Sequence, residues 1–141
     1  MRAFSIFALA LLLAGRAEAG CLAYGRPVQL DGTLFFREYP GPPNYDDKSQ
    51  PVTFWFLSPT QPICVDADPD PAARAVNVAV EELREIQVIP PFPPGNGAFR
   101  SFRGKQVRLT GVLHGRTGKE QKTPVFLGDA RIEQPAKKPG S

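Results

Sequence analysis

One histidine, one methionine, one tryptophan and two cysteines occur in 141 residues. A lone His114 leaves no set of histidines from which to build a zinc or iron site. Two cysteines are too few for a four-cysteine metal ribbon or a dense disulfide scaffold. No apolar run reaches the roughly 20 residues that a helix needs to cross a bilayer. None of Ser49, Ser58 and Ser101 sits in a nucleophile-elbow motif, so a Ser-His-Asp arrangement on His114 lacks its usual frame. Proline and glycine, at 16 and 13 residues, are plentiful instead, and so is phenylalanine, at 10.

The apolar run that does occur is short and lies at the start. Arg2 precedes an unbroken stretch from Ile6 to Ala14, and Ala17-Glu18-Ala19 follows with small residues at alternate positions. A charge, a short greasy segment and a small-x-small step together read as a secretory signal peptide over 1–19. Expected localisation is therefore periplasmic or secreted. Cys21 offers a second route, since a lipoprotein carries its lipid on a cysteine next to the cut. Glu18, however, occupies a place where an aliphatic residue is wanted. In an oxidising compartment the two remaining cysteines, Cys21 and Cys64, read as one disulfide. Two buried free thiols are the alternative.

Cutting after Ala19 removes Arg2, Arg16 and Glu18 and turns the formal charge from +3 to +2. The distribution says more than the total. Arg100, Arg103, Lys105, Arg108, Arg116, Lys119 and Lys122 face a single anion, Glu120, whereas the stretch from Asp66 to Glu85 is mostly acidic. Solvated faces that pair with one another are the simplest explanation of such blocks.

Period-2 alternation dominates the mature chain. Val28, Leu30, Gly32, Leu34 and Phe36 share one face of a first strand. Val52, Phe54 and Phe56 are expected inward on a second, with Trp55 outward, and Ile63–Val65 is expected to complete a hairpin with it. Residues 72–80 mix valine alternation with helix formers; the valines favour a strand over 74–80, followed by a short one over 84–89. Val107, Leu109, Gly111 and Leu113 line another strand, preceded by a helical turn closing at Gly104, and residues 125–133 form the last. Residues 38–51 and 90–97 read as long proline-rich loops and 115–124 as a polar hairpin loop. The tail, 134–141, lacks core residues and is expected to be disordered.

Two strands share Val-x-Leu-x-Gly-x-Leu, with the glycine on the inner face, which suits a strand that must bend to close a small barrel. The expected fold is mainly β: one domain over 20–133, a five- to six-stranded barrel with one short helical turn. From Gly104 onward the order of turn, glycine-kinked strand, loop and final strand resembles the closing half of an OB-fold barrel. Cys21-Leu22-Ala23-Tyr24, Pro42-Pro43-Asn44-Tyr45, Pro62-Ile63-Cys64-Val65, Gly104-Lys105-x-Val107 and Thr117-Gly118 resemble a family of small exported bacterial proteins catalogued as domain of unknown function 4431. The resemblance covers most of 21–133. It implies export, a Cys21–Cys64 disulfide and a small barrel, with no established activity. The family's loop after Thr117-Gly118 is rich in histidine. Here Lys119, Glu120, Gln121 and Lys122 stand there, which removes any metal or acid–base role tied to those histidines.

The candidate chemistry is therefore that of contact. Trp55, on an outward strand face, and the cations Arg108, Arg116 and Lys119 beside His114 form the candidate ligand-binding set, because OB barrels bind by stacking on aromatics beside cations. Tyr39, Tyr45 and Phe92 could add to it; a Trp55 packed beneath the loops is the competing reading. Asp66-x-Asp68-x-Asp70 opens like a calcium loop, but Pro71 and Asn77 stand where glycine and glutamate belong. No metal, cofactor or catalytic residue is expected. The reading is an exported, non-catalytic interaction module whose partner is an envelope protein or an anionic polymer. Nucleic acid is disfavoured by the compartment. The alternative is a small envelope hydrolase or metal-dependent protein built on His114.

Overall fold

The computed structural model describes residues 20–41, 51–93 and 95–133. The expected signal segment, residues 42–50 of the first proline-rich loop, Pro94 and the expected tail from Gln134 lie outside the described residues.

The elements are β1 (Pro27–Tyr39), β2 (Val52–Pro59), β3 (Ile63–Val65), β4 (Val80–Leu83), β5 (Ile86–Val88), α1 (Gly97–Arg100), β6 (Gln106–Gly115) and β7 (Val125–Glu133). Five strands close a barrel in the order β1-β2-β5-β7-β6, with β6 pairing back onto β1. All contacts are antiparallel except β5 with β7. A short helix sits between the third and fourth barrel strands, and the whole is a small OB-like barrel.

β1 holds the barrel shut by serving both neighbours. Residues 27–33 pair with β6 and 32–39 with β2, so the strand changes partner at Gly32 and Thr33. A side chain at Gly32 would press into the backbone of Ser58 and Pro59, and one at Gly111 would come 2.6 Å from the Gly128 carbonyl. The two inner glycines expected from the shared strand pattern thus stand where a neighbouring backbone leaves no room for a side chain. β7 bulges near Asp129, whose φ of 49° lets Leu127 and Ala130 both turn inward.

Leu30, Leu34, Leu57, Ile86, Val88, Leu109, Leu113 and Leu127 fill the interior. α1 closes one end. It has no side-chain cap at Asn96 and is held by Phe99, which is buried and meets the Trp55 ring edge-on at 5.7 Å. Trp55 is only 4% exposed. The expected facing of β2 is therefore corrected by one residue: Trp55 and Leu57 point in, Phe54 and Phe56 out. In a strand, a one-residue error reverses every side chain.

Two further expectations are corrected. β3 pairs with β4 rather than β2, because β5 takes the second edge of β2. Residues 71–77 are turns, not a strand. There Asp68 accepts from the Asp70 N–H (2.9 Å), Asp70 accepts from the Ala72 N–H (3.0 Å), and Arg74 donates to the Asp68 carbonyl. These local bonds hold the backbone in turns more strongly than alternating valines favour extension, and Val76 and Val78 stay exposed.

The β3–β4 sheet is bound to the N-terminal segment through the Cys21–Cys64 disulfide. Leu22 bridges Val65, its N–H donates to the Cys64 carbonyl (2.8 Å), and its own carbonyl accepts from the Asp66 N–H (2.9 Å).

Candidate functional site

Because Trp55 and Leu57 turn inward, β2 presents Phe54 and Phe56 on the barrel's outside. β1 presents Phe35, Arg37 and Tyr39 beside them, in a register that pairs Phe35 with Phe56 and Arg37 with Phe54. The Phe35 and Phe56 rings stack at 5.6 Å, and Tyr39 meets Phe54 edge-on at 5.4 Å. Phe56 is fully buried by this arrangement, while Phe35, Tyr39 and Phe54 remain half-buried. An aromatic row on an outer barrel face is the uncommon feature, since the outward side of such a strand is ordinarily polar.

Two cations lie on that row. The Arg37 guanidinium sits over Phe35 at 5.1 Å and Phe56 at 5.3 Å, and both its terminal nitrogens reach Glu85. The Lys122 ammonium sits 4.8 Å from the Tyr39 ring and 5.3 Å from Phe54. Such contacts are worth about 0.5–1 kcal/mol each at exposed sites. Lys122 also donates to the Lys119 carbonyl, and among the described residues no carboxylate pairs with it.

Lys122 reaches the aromatics because a buried glutamine fastens its loop. Gln87, on β5, is 2% exposed. Its backbone N–H donates to Thr123 Oγ1 (3.0 Å), its amide nitrogen donates to the Glu120 carbonyl (3.2 Å), and its amide oxygen accepts from the Lys122 N–H (2.6 Å). Thr123 Oγ1 in turn donates to the Val125 carbonyl (2.6 Å). A buried amide left unmatched costs about 1–3 kcal/mol, so this network specifies the loop's position. Within the loop, the Gln121 side-chain oxygen accepts from the N–H groups of Thr117 and Gly118.

The residues expected from the sequence fall in different places. Arg116 and Lys119 lie in the hairpin loop with Lys122, and Arg116 donates to the Gly118 carbonyl. His114 is exposed just before that loop, its ring stacked on Phe126 at 5.2 Å. Arg108 lies elsewhere. It is six residues before His114 on the same strand, about 20 Å away at the usual strand rise, and its fork grips Asp31 at 2.8 and 3.2 Å. Trp55 belongs to the core. Tyr39, named as a loop aromatic, ends β1 within the row; Phe92, at 93% exposure, stands apart at the tip of the second proline-rich loop. Tyr45 lies outside the described residues.

The acidic loop spends its carboxylates locally. Asp68 accepts from the Asn77 amide (2.7 Å), whose oxygen accepts from the Gly115 N–H (3.0 Å), so the loop is docked onto the end of β6. That amide, with the Asp70 N–H, holds the Asp68 pKa below the ordinary carboxylate value. Among the described residues no group of three or more histidines, cysteines, aspartates or glutamates could hold a metal ion. No helix of the described residues is long and apolar enough to cross a membrane.

Phe35, Arg37, Phe54 and Gln87 escaped the sequence reading. The signal that could have found the outward place of Phe54 is that Val52-Thr53-Phe54-Trp55-Phe56-Leu57 is apolar on both faces, as a strand covered on both sides must be. Fold and site together define an OB-like barrel carrying an aromatic, cation-capped outer face. Comparison with protein-family models, curated proteins and solved structures gives no match.

Proposed function

We propose that this protein is an exported, non-catalytic binding module of the cell envelope whose β1–β2 outer face and 116–124 loop hold an anionic polymer. The observation that carries the reading is the outer aromatic row with Lys122 laid across Tyr39 and Phe54. OB barrels bind extended ligands on this side of the sheet, using the loops that flank it. Aromatic faces stack on rings and the cations take the charge. The leading apolar segment with its Ala17-Glu18-Ala19 step, the resemblance to a family of exported proteins and the Cys21–Cys64 bond support export.

Retention of the exported chain on immobilised heparin and polygalacturonate, eluted with salt, tests the proposal. Tyr39→Ala and Lys122→Ala elute at lower salt, and Lys122→Ala reduces the slope of log K against log salt by about one unit. Arg108→Ala elutes close to the parent, because it lies about 20 Å along β6 from the hairpin end, beyond a Debye length at physiological salt. Parent-like elution of Tyr39→Ala and Lys122→Ala overturns the reading. Stronger retention on single-stranded DNA than on either polysaccharide keeps an anionic polymer as the ligand and makes it a nucleic acid.

A further inference from the structure

The inner side of the same strands forms a separate cavity at the α1 end, of about 380 Å³. Its aromatic wall is Trp55 and Phe36, whose rings meet edge-on at 5.3 Å. Arg103 and Arg100, three residues apart across α1 and the turn after it, line it opposite Glu38 and Thr53. The Arg103 guanidinium lies 4.2 Å from the centre of the Phe36 ring.

We infer that this cavity binds a small planar anion: an aromatic ring bearing a carboxylate or phosphate.

Its two guanidiniums set this cavity apart from one of equal volume lined by the single cation Arg131, and charge pairing sets it apart from a larger one. The larger one, of about 580 Å³, is lined by Arg108 and Asp31, which already neutralise each other. Arg37 and Arg84 are likewise paired with Glu85 and Glu82. Among the described residues, neither Arg100 nor Arg103 has a carboxylate within ion-pair distance, although Glu38 lines the same space. Two guanidiniums against one carboxylate leave the cavity net positive. Stacking on Phe36 holds the Arg103 plane in place, so less freedom is lost when its fork meets an anion. The half-buried Phe36, backed by Trp55, then meets the ligand's ring, and the volume lies within the range usual for small-molecule sites. None of these groups belongs to the polymer-binding face, so the inference goes beyond that reading.

Trp55 is the chain's only tryptophan, and it lines the cavity, so its intrinsic fluorescence reports occupancy. The exported chain is titrated with phenyl phosphate and with benzoate, with calorimetry alongside; benzyl alcohol and inorganic phosphate are the controls. At least one aryl anion gives saturable binding about tenfold or more tighter than either control. Arg100→Gln and Arg103→Gln each weaken it by about tenfold, as expected for loss of a charge-assisted bond. Both arginines are exposed, and unchanged urea midpoints in the variants confirm that the fold is intact. Tyr39→Ala leaves this binding unchanged even if it abolishes polymer retention. No saturable heat or fluorescence change, equal binding of benzyl alcohol, or indifference to both arginine substitutions overturns the inference.

Discussion

Replacing Gly32 with alanine adds one methyl group at the place where β1 passes from one neighbour to the other. Built on this backbone, the new Cβ falls 2.8 Å from the Ser58 carbonyl carbon and 2.9 Å from Pro59 Cα, and closer still to the Ser58 carbonyl oxygen. All three are backbone atoms, so no rotamer change relieves the clash; β2 must move, and β2 is fixed on its far edge by β5. Overpacking ordinarily costs about 1–3 kcal/mol, and a contact against backbone belongs near about 3. With a urea m-value of about 1.5 kcal/mol/M, that loss lowers the unfolding midpoint by about 2 M without changing m. Gly97→Ala is the matched control. Nothing lies within 4 Å of its added Cβ, and the residue is helical. There the same methyl group stabilises by about 0.4–1 kcal/mol through the unfolded chain. Urea titration followed by Trp55 fluorescence and circular dichroism compares the two. A Gly32→Ala midpoint within 0.3 M of the parent, roughly 0.5 kcal/mol on the same m-value, refutes the claim that barrel closure depends on close backbone approach at this residue.

Three further outcomes follow from the packing. Trp55→Ala, which empties a core position, costs about 3–5 kcal/mol, while Phe54→Ala on the half-buried outer face costs about 1 kcal/mol; urea midpoints in the reverse order refute the inward facing of Trp55. Cys64→Ser frees a loop with a sequence separation of 43 residues and loses about 2–4 kcal/mol, with about 4 the chain-entropy limit; a thermal midpoint equal to the parent's in non-reducing buffer contradicts a stabilising bond. In acid, Asp31 matters first through the hydrogen bonds from Arg108, which lower its pKa, and Asp68 through the Asn77 amide. A carboxylate with a depressed folded pKa supports the fold fully above its unfolded value, about 3.9, and loses that support as pH falls through the folded value. Stability therefore drops between about pH 4 and lower pH. Because the Asp31 side chain is 51% exposed, its share is a few tenths to about 1 kcal/mol. Asp31→Asn flattens the decline in urea midpoint between pH 5 and pH 3, and an unflattened decline removes Asp31 from the account.

How much of this was legible before folding depends on how local the deciding interaction is. β1 and β6 were readable because Val28-to-Leu34 and Val107-to-Leu113 keep an apolar residue or glycine at every second position, each with the glycine on its inner face. β2 was readable as a strand but not in its facing, because five of the six residues from Val52 to Leu57 are apolar and alternation carries no phase. What sets the phase is Phe99, more than 40 residues away, meeting Trp55 edge-on. The turns over 71–77 contradicted the valine pattern through bonds between near neighbours, and Asp68-x-Asp70 was the visible cue. The partner of β3 was hidden, because adjacency along the chain favours a hairpin that the barrel order forbids. Gln87, flanked by Ile86 and Val88, reads as an ordinary outward polar residue; its bonds to 120–123 exist only after β5 and β7 have paired in parallel.

The same two-sided strand explains why the candidate contact surface has an orientation. Aromatic rings on the outside of a barrel need cover to stay soluble, and here cations supply it, which leaves the row charged rather than greasy. The two covers differ in what remains free. Arg37 gives its fork to Glu85, so its charge is largely cancelled and its role is to hold Phe35 and Phe56 in place. Lys122 spends one donor on a backbone carbonyl and meets no carboxylate among the described residues, in the loop that also carries Arg116 and Lys119. Among the described residues, Arg116, Lys119 and Lys122 against Glu120 leave the hairpin loop at the Tyr39–Phe54 end of the row net positive. An anionic ligand approaching this face is drawn to the hairpin end first and then meets stacked rings along β1 and β2. That polarity follows from Gln87 holding the loop against β5, not from the loop's basic composition alone.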